Sequence, residues 1–153
     1  MMEVLRREIA ATEIRRVLIK LLARREYSKH ELRRKLATQV ESQSLLTAAI
    51  DRLANENLQS DKRFSGQFVS HRINKGYGPI RIGAELRERG IAEQLIQVSL
   101  EPYKEQWVPY ASKARIKRFG SSLPVETAEK MKQMRFLQYR GFSSEHIKKA
   151  ICD

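Results

Sequence analysis

The sequence has few of the residues that build disulfide frameworks, membrane spans or secretion signals. Only one cysteine, Cys152, stands among the 153 residues, so neither a disulfide nor a cysteine metal site can form within one chain. There is no apolar run of about 18 residues, the length that a membrane-spanning helix needs. Residues 1–8 lack the apolar core of a signal peptide. We therefore expect a cytoplasmic protein.

Residues suited to catalysis or metal binding are also sparse. His30, His71 and His146 lie far apart in the sequence and share no ligand spacing. No serine sits in a nucleophile elbow. Glu85 and Glu88 alternate with arginines, as expected for a solvated helix face rather than for paired acid-base catalysis. The sequence therefore predicts no catalytic residue, no metal site and no cofactor.

The densest group of glycines, at residues 74–83, resembles a phosphate-binding loop only superficially. Gly76, Gly78 and Gly83 have the wrong spacing for a nucleotide fingerprint, no strand precedes them, and no Lys-Ser/Thr pair follows. We expect instead that Gly76 ends one helix, Gly78 caps the next, and Pro79 begins it.

Signals for helices fill the chain, whereas hairpin signals are missing. Glycines stand where helices should stop, at Gly76, Gly90, Gly120 and Gly141, and Pro124 suits a first helical turn. We therefore predict an all-α fold. The expected helices are 4–25, 28–38, 43–56, 61–75, 79–89, 91–100, 104–119, 124–140 and 143–151.

Three ten-residue segments repeat one pattern: 27–36, 77–86 and 142–151. Each begins with an aromatic residue, continues with a residue suited to cap a helix, and has apolar residues four and eight positions after that cap. In the first segment Ser28 and Glu31 form a capping-box pattern. The aromatic residue can pack between helices. The sequence therefore predicts tandem helical units.

Positive charge is the strongest compositional signal. The chain has 30 Lys and Arg against 18 Asp and Glu, a net charge of +12 and a pI near 10.1. By our count, residues 1–58 have 12 cations and 8 anions, residues 59–101 have 7 and 5, and residues 102–153 have 11 and 5. A domain this basic commonly binds a polyanion or an acidic protein surface.

Clusters of cations recur beside the repeated segments, and we expect them to form a basic face that contacts DNA or an acidic protein. Trp107 and Tyr110 lie on one predicted helix, and we expect them to belong to the core. The candidate binding residues are Arg24, Arg25, Arg33, Arg34, Lys35, Arg72, Lys75, Arg81, Lys113, Arg115, Lys117, Arg118, Arg135 and Arg140.

Four stretches together resemble the RecX regulatory proteins. They are Tyr27-Ser-x-x-Glu31-Leu32-x-x-Lys35-Leu36, Asp61-x-Arg63-Phe64, Lys75-Gly76-Tyr77-Gly78-Pro79-x-x-Ile82, and Arg135-Phe136-Leu137-x-Tyr139-Arg140-Gly141-Phe142. The resemblance covers residues 12–151. It implies an all-α fold of three tandem three-helix repeats in an elongated, curved array. We place the repeats at 1–58, 59–101 and 102–153, although the aromatic pattern phases the third repeat differently.

The resemblance also implies a function. Proteins of this family are bacterial cytoplasmic modulators that bind the RecA filament on single-stranded DNA, lie in its groove, and inhibit ATP hydrolysis, strand exchange and coprotease activity without catalysis of their own. We expect the partner to be that filament, with weaker binding to single-stranded DNA alone, and the protein to be a monomer. The family offers no compact binding motif, so the basic face depends on the charge argument alone.

A second reading is a helix-turn-helix-like protein that binds specific DNA sequences, since three-helix units with basic helices resemble such domains. It predicts tight, base-specific binding to duplex DNA by a dimer. The sequence lacks an obvious dimer helix and spreads its charge over three segments, which favours the filament-binding reading.

Overall fold

The computed structural model describes residues 9–152, and within that range the chain forms nine α-helices, two short 3-10 helices and no strand. The all-α prediction is therefore confirmed. The part of the predicted first helix before residue 9 lies outside the described residues. The helices are α1 Ile14–Leu22, α2 Lys29–Leu36, α3 Gln43–Asn55, α4 Asp61–Asn74, α5 Pro79–Glu88, α6 Glu93–Leu100, α7 Trp107–Phe119, α8 Thr127–Tyr139 and α9 Ser144–Cys152.

The helix ends follow the sequence signals with one exception. Gly76, Gly90, Gly120 and Gly141 all have positive φ angles and lie where helical segments end, as predicted. Pro124 does not begin a helix, because the chain stays non-helical as far as Glu126 and α8 starts at Thr127. The described chain divides into two compact units, residues 9–65 with 89–91 and residues 66–88 with 92–152.

The first unit has a core built from one face of each of its helices. Apolar side chains recur three and four residues apart in α1, α2 and α3, so each helix has a single apolar stripe to bury. Tyr27, directly before α2, is buried among them, as the repeat predicts for its aromatic residue. The buried cluster is Ile14, Leu18, Tyr27, Leu32, Leu36, Val40, Leu46, Ile50 and Leu53.

Two interactions stabilise the start of α2: its own capping box and a hydrogen bond to the backbone carbonyl of Arg89. Ser28 and Glu31 form the predicted capping box, with Oγ of Ser28 accepting from the Glu31 amide at 3.1 Å. The same Ser28 hydroxyl donates to the Arg89 carbonyl at 2.8 Å. Ser28 is fully buried, so both hydrogen bonds replace bonds to water that the group has lost.

The Asp61-x-Arg63-Phe64 motif also supports α2. Oδ1 of Asp61 accepts from the Lys29 amide at 2.9 Å, in the first turn of α2, where a carboxylate is favourable. Arg63 pairs with Glu26 at 2.9 Å between Nε and Oε1, and Phe64 is buried. The motif thus stabilises the start of α2 and the turn before it through one hydrogen bond, one ion pair and one buried ring.

The second unit contains a group of three mutually packed helices, α7, α8 and α9, together with α5 and α6. Trp107 is buried at the start of α7 and has ring contacts with Tyr103 and Tyr110, at 6.3 and 5.9 Å between centroids. Its predicted place in the core is confirmed. The other large buried side chains of this unit include Ile82, Leu86, Ile96, Leu137, Phe142, Ile147 and Ile151.

Two glycines allow the second repeated segment to meet, backbone to backbone, the turn that precedes the third. The Gly78 amide donates to the Arg140 carbonyl at 2.8 Å, and the Ile80 amide donates to the Gly141 carbonyl at 2.9 Å. A Cβ on Gly78 would lie 2.5 Å from the Gly141 oxygen, so only glycine fits. We call this contact the glycine junction; it fixes α5 against the turn between α8 and α9.

Candidate functional site: a basic groove

A groove of about 410 Å³ in the second unit collects five of the predicted cations. Its walls combine these cations with two aromatic rings and a few small or apolar groups. Among the described residues that line it, none is acidic. The lining residues are Ile73, Asn74, Lys75, Gly76, Tyr110, Lys113, Ala114, Lys117, Arg118, Phe136 and Arg140. We refer to this feature as the basic groove.

One face of α7 supplies about half of the basic groove. Positions 110, 113, 114, 117 and 118 are spaced three and four residues apart, and they therefore project from the same side of the helix. Lys113 and Lys117 are exposed, and they stand four residues apart with like charge. Such a pair destabilises an isolated helix by about 0.2–0.5 kcal/mol. A bound anion would relieve that repulsion.

The cations of the basic groove lack the carboxylate partners that many other described arginines have. Arg15 donates to Glu56 and Arg87 donates to Glu93, and in each case this hydrogen bond lowers the pKa of the carboxyl group. Within residues 9–152, by contrast, no cation of the groove lies within 4.0 Å of a carboxylate oxygen. The groove therefore has uncompensated positive charge, which an anionic ligand could neutralise.

Arg140 joins the basic groove to the glycine junction. Its Nη1 donates to the Lys75 carbonyl at 3.0 Å, one of the carbonyls left unpaired where α4 ends. Its guanidinium carbon lies 5.0 Å from the Phe136 ring centroid, and Arg118 approaches the same ring at 5.7 Å. Phe136 is also in edge contact with Phe119 at 5.3 Å. These contacts hold the floor of the groove in place.

Arg72 and Arg81 do not line the groove. They flank Tyr77, with guanidinium carbons 3.9 and 4.4 Å from its ring centroid. Both also bond to Glu85, Arg72 at 2.8 Å and Arg81 at 3.4 Å. Tyr77 is half-buried, whereas the aromatic residues that begin the other two repeated segments, Tyr27 and Phe142, are buried. A third guanidinium group, that of Arg140, lies 5.0 Å from the Tyr77 ring centroid.

Arg115 is buried, although the charge pattern placed it on the basic face. It is only 2% exposed, so it cannot belong to an exposed basic face. Its Nη1 donates to the carbonyls of Gly120 at 3.3 Å and Ser122 at 3.2 Å, which lie in the loop after α7. Gln133, also buried, accepts at 3.5 Å. The loop turns back over the helix, and this arginine satisfies its carbonyls.

Replacing Arg115 with alanine is expected to lower the free energy of unfolding by about 1–3 kcal/mol, because a buried, charged side chain loses its hydrogen bonds to the loop at residues 120–122. Urea denaturation measures this change. Filament and DNA binding by the folded variant should match the wild type. A variant with wild-type stability and weakened binding would instead return Arg115 to the binding surface.

Arg135 and the five predicted cations of the first unit lie elsewhere. Arg135 is exposed on α8 but does not line the basic groove. In the first unit, Arg25 stacks on Tyr27 at 3.7 Å, and the Lys35 ammonium lies 5.7 Å from the same ring. Arg24 and Arg34 are exposed and Arg33 is half-buried. In the first unit, Arg25 and Lys35 therefore form a separate cationic cluster at the Tyr27 ring, and the other three predicted cations are their neighbours in the sequence.

The aromatic walls of the groove were not foreseen. Tyr110 was predicted to be a core residue, yet it is half-buried and lines the groove. The spacing of positions 110, 113 and 117 could have placed it on the basic side of α7. Phe136 required tertiary structure, since α8 has no apolar pattern that separates it from the core residue Leu137.

The fold and the groove define an all-helical repeat protein with a cationic groove, and comparisons with known proteins specify it further. Family models described as the second and third three-helix domains of RecX match residues 60–100 and 110–151. The regulatory protein RecX of Halorhodospira halophila is 37% identical over 141 residues, 92% of this chain and 88% of that protein. The corresponding protein of Pseudomonas fluorescens SBW25 is 39% identical, with 90% and 89% covered.

Solved structures give the same result for the fold. The crystal structure of RecX from Lactobacillus salivarius matches with a TM-score of 0.80 at 19% identity, over 93% of this chain and 94% of that one. A second RecX crystal structure matches with a TM-score of 0.81 at 22% identity, and the match covers 94% of this chain and 73% of that one. The chain belongs to the RecX family of regulatory proteins, and the resemblance seen in the sequence is confirmed.

Two further observations concern the described residues 9–152. They include no group of three or more His, Cys, Asp and Glu side chains placed to hold a metal ion. None of their helices combines the length and the apolar character needed to cross a bilayer. The domain bounds 1–58, 59–101 and 102–153 stay a prediction.

Proposed function

We propose that this chain binds the RecA filament on single-stranded DNA and inhibits the recombinase, ATPase and coprotease activities of RecA, without catalysis or cofactors of its own. The proposal joins membership of a family of regulatory proteins to one observation, the basic groove, with five cations and no acidic lining residue among those described. It places a monomer in the cytoplasm, where the filament forms.

The charge of the groove suits the phosphates of a nucleic-acid backbone. Its lysines and arginines supply multiple N–H donors and have no carboxylate partner within the described chain to displace. Contacts of this kind release counterions from the nucleic acid, so the affinity falls steeply as salt rises. Acidic patches on the filament protein would offer a second anionic surface to the same cations.

Each compact unit has its own cationic cluster, and this gives a physical basis for inhibition. A filament repeats its binding sites, so contact by one unit raises the effective concentration of the other. Two weak contacts then act together. A protein held at two places on a filament resists the subunit movements that ATP turnover and filament growth need.

The direct test titrates this protein into the ATPase reaction of RecA on single-stranded DNA at two salt concentrations. We expect inhibition at low salt and a weaker effect at high salt. Gel-shift assays should show tighter binding to the assembled filament than to naked DNA. Tight, base-specific binding to a duplex without ATPase inhibition would contradict the proposal and favour the helix-turn-helix-like alternative.

A further inference from the structure

Guanidinium groups and aromatic rings alternate without a break from the basic groove to the end of α8. Each neighbouring pair lies within the range of a cation–π contact, at 5.2, 4.4, 5.0, 5.0 and 5.7 Å between guanidinium carbon and ring centroid. We call this arrangement the stacked ladder. Its members, in order, are Tyr139, Arg81, Tyr77, Arg140, Phe136 and Arg118.

The two ends of the stacked ladder differ in exposure. Arg118 ends the ladder inside the basic groove, as one of its lining residues. Tyr139 ends it on the surface and is 75% exposed. Arg81 contacts this residue twice: its guanidinium carbon lies 5.2 Å from the Tyr139 ring centroid, and its Nη1 donates to the Tyr139 carbonyl at 3.4 Å. The exposed ring is therefore oriented.

We propose that Tyr139 is a base-stacking site for single-stranded DNA, used by a strand whose phosphates lie in the basic groove. Nonspecific single-strand binders combine these two elements, a cationic track for the backbone and aromatic rings for the bases. Here the ladder connects the two elements within one unit of the fold. The inference depends on the proposed function for the assignment of the groove to phosphates.

The charges around the stacked ladder agree with a nucleic acid ligand. Among residues 9–152, Glu85 is the carboxylate paired with an arginine of the ladder, and its side chain is shared between Arg81 and Arg72, which lies outside the ladder. Two guanidinium groups thus balance one carboxylate, which leaves the ladder positive next to Tyr139. Duplex DNA keeps its bases stacked on one another and offers no free base face, so an unpaired strand is the ligand that fits.

The test compares an oligothymidylate of about 16 nucleotides with an abasic strand of the same length, each labelled with a fluorophore for anisotropy. The two ligands have the same phosphates and differ only in the bases. We expect the wild type to bind the oligothymidylate about tenfold more tightly. Tyr139→Ala should remove that difference and leave abasic binding unchanged, whereas Tyr139→Phe should keep it. Met131→Ala, an exposed change on the same helix, is the control and should bind as the wild type does.

The outcomes separate this inference from the proposed function. If Tyr139→Ala still bound the oligothymidylate more tightly than the abasic strand by the same factor as the wild type, the stacking site would be overturned. It would also be overturned if the wild type bound duplex DNA as tightly as it binds the single strand. A pair of groove changes, Lys113→Glu with Lys117→Glu, should weaken binding of both strands equally. If that pair has no effect while Tyr139→Ala does, the groove assignment fails and the stacking site stands.

Discussion

Replacing Gly141 with alanine is expected to lower the free energy of unfolding by about 2–6 kcal/mol, the largest effect of any single change considered. Gly141 has φ near 96°, and a side chain in such a conformation costs about 1–3 kcal/mol. A Cβ there would lie 2.3 Å from Cβ of Arg81 and 2.7 Å from its backbone nitrogen, and overpacking of this kind adds about 1–3 kcal/mol. Thermal and urea denaturation measure the total.

Two other glycines are matched controls for this prediction. Gly120 also has a positive φ, of 91°, but a Cβ there meets nothing within 4 Å, so Gly120→Ala should show the backbone cost alone. Gly66 lies inside α4 with open space around it, and Gly66→Ala should stabilise the protein by about 0.5–1 kcal/mol. Equal losses for Gly141→Ala and Gly120→Ala would show that the glycine junction is not tightly packed.

The double change Lys113→Glu with Lys117→Glu is expected to weaken inhibition of the RecA ATPase by about tenfold or more. Each phosphate contact to a single strand makes the slope of log affinity against log salt more negative by about 0.7. At physiological salt, the loss of two such contacts therefore lowers the affinity about tenfold. Both side chains are exposed on α7 and glutamate is a good helix former, so the fold should survive. The concentration for half-maximal inhibition measures the effect.

A control pair separates the local effect from the loss of net charge. Lys20→Glu with Lys62→Glu makes the same change in charge at two exposed lysines outside the basic groove. We expect this pair to inhibit almost as well as the wild type. Equal weakening by the two pairs would mean that overall charge, and not the groove, determines the affinity. Far-UV circular dichroism checks that both variants fold.

Local patterns in the sequence were enough to predict most helices and caps, although the described part of the first helix is α-helical only from Ile14 and Pro124 does not begin α8. Ser28 with Glu31 forms its capping box through neighbours three residues apart, so the motif carries its own geometry. Tyr27 and Phe142 are buried as the repeat requires. Tyr77, at the equivalent position, is contacted by arginines from α4, from α5 and from the turn after α8, and no local pattern contains that information.

The basic groove could be predicted only in part. Lys113, Lys117 and Arg118 share a face of α7, and helical spacing alone indicates it. Arg115 has lysines and arginines as sequence neighbours, as these three residues do, but its side chain is buried. The loop at 120–122 folds back over the helix, and its carbonyls accept hydrogen bonds from Arg115. Tyr139 belongs to the fourth RecX-like stretch, but the sequence did not indicate a base-stacking site there, since that proposed role depends on contact with Arg81, 58 positions away.

The most direct measurement is the salt dependence of binding to the RecA filament on single-stranded DNA, for the wild type and for Lys113→Gln with Lys117→Gln. If these lysines contact phosphates, neutralising both should make the slope of log affinity against log salt less negative by about 1.4. An unchanged slope, with affinity equal to that of the wild type at every salt concentration, would contradict the assignment of the basic groove to the phosphate backbone.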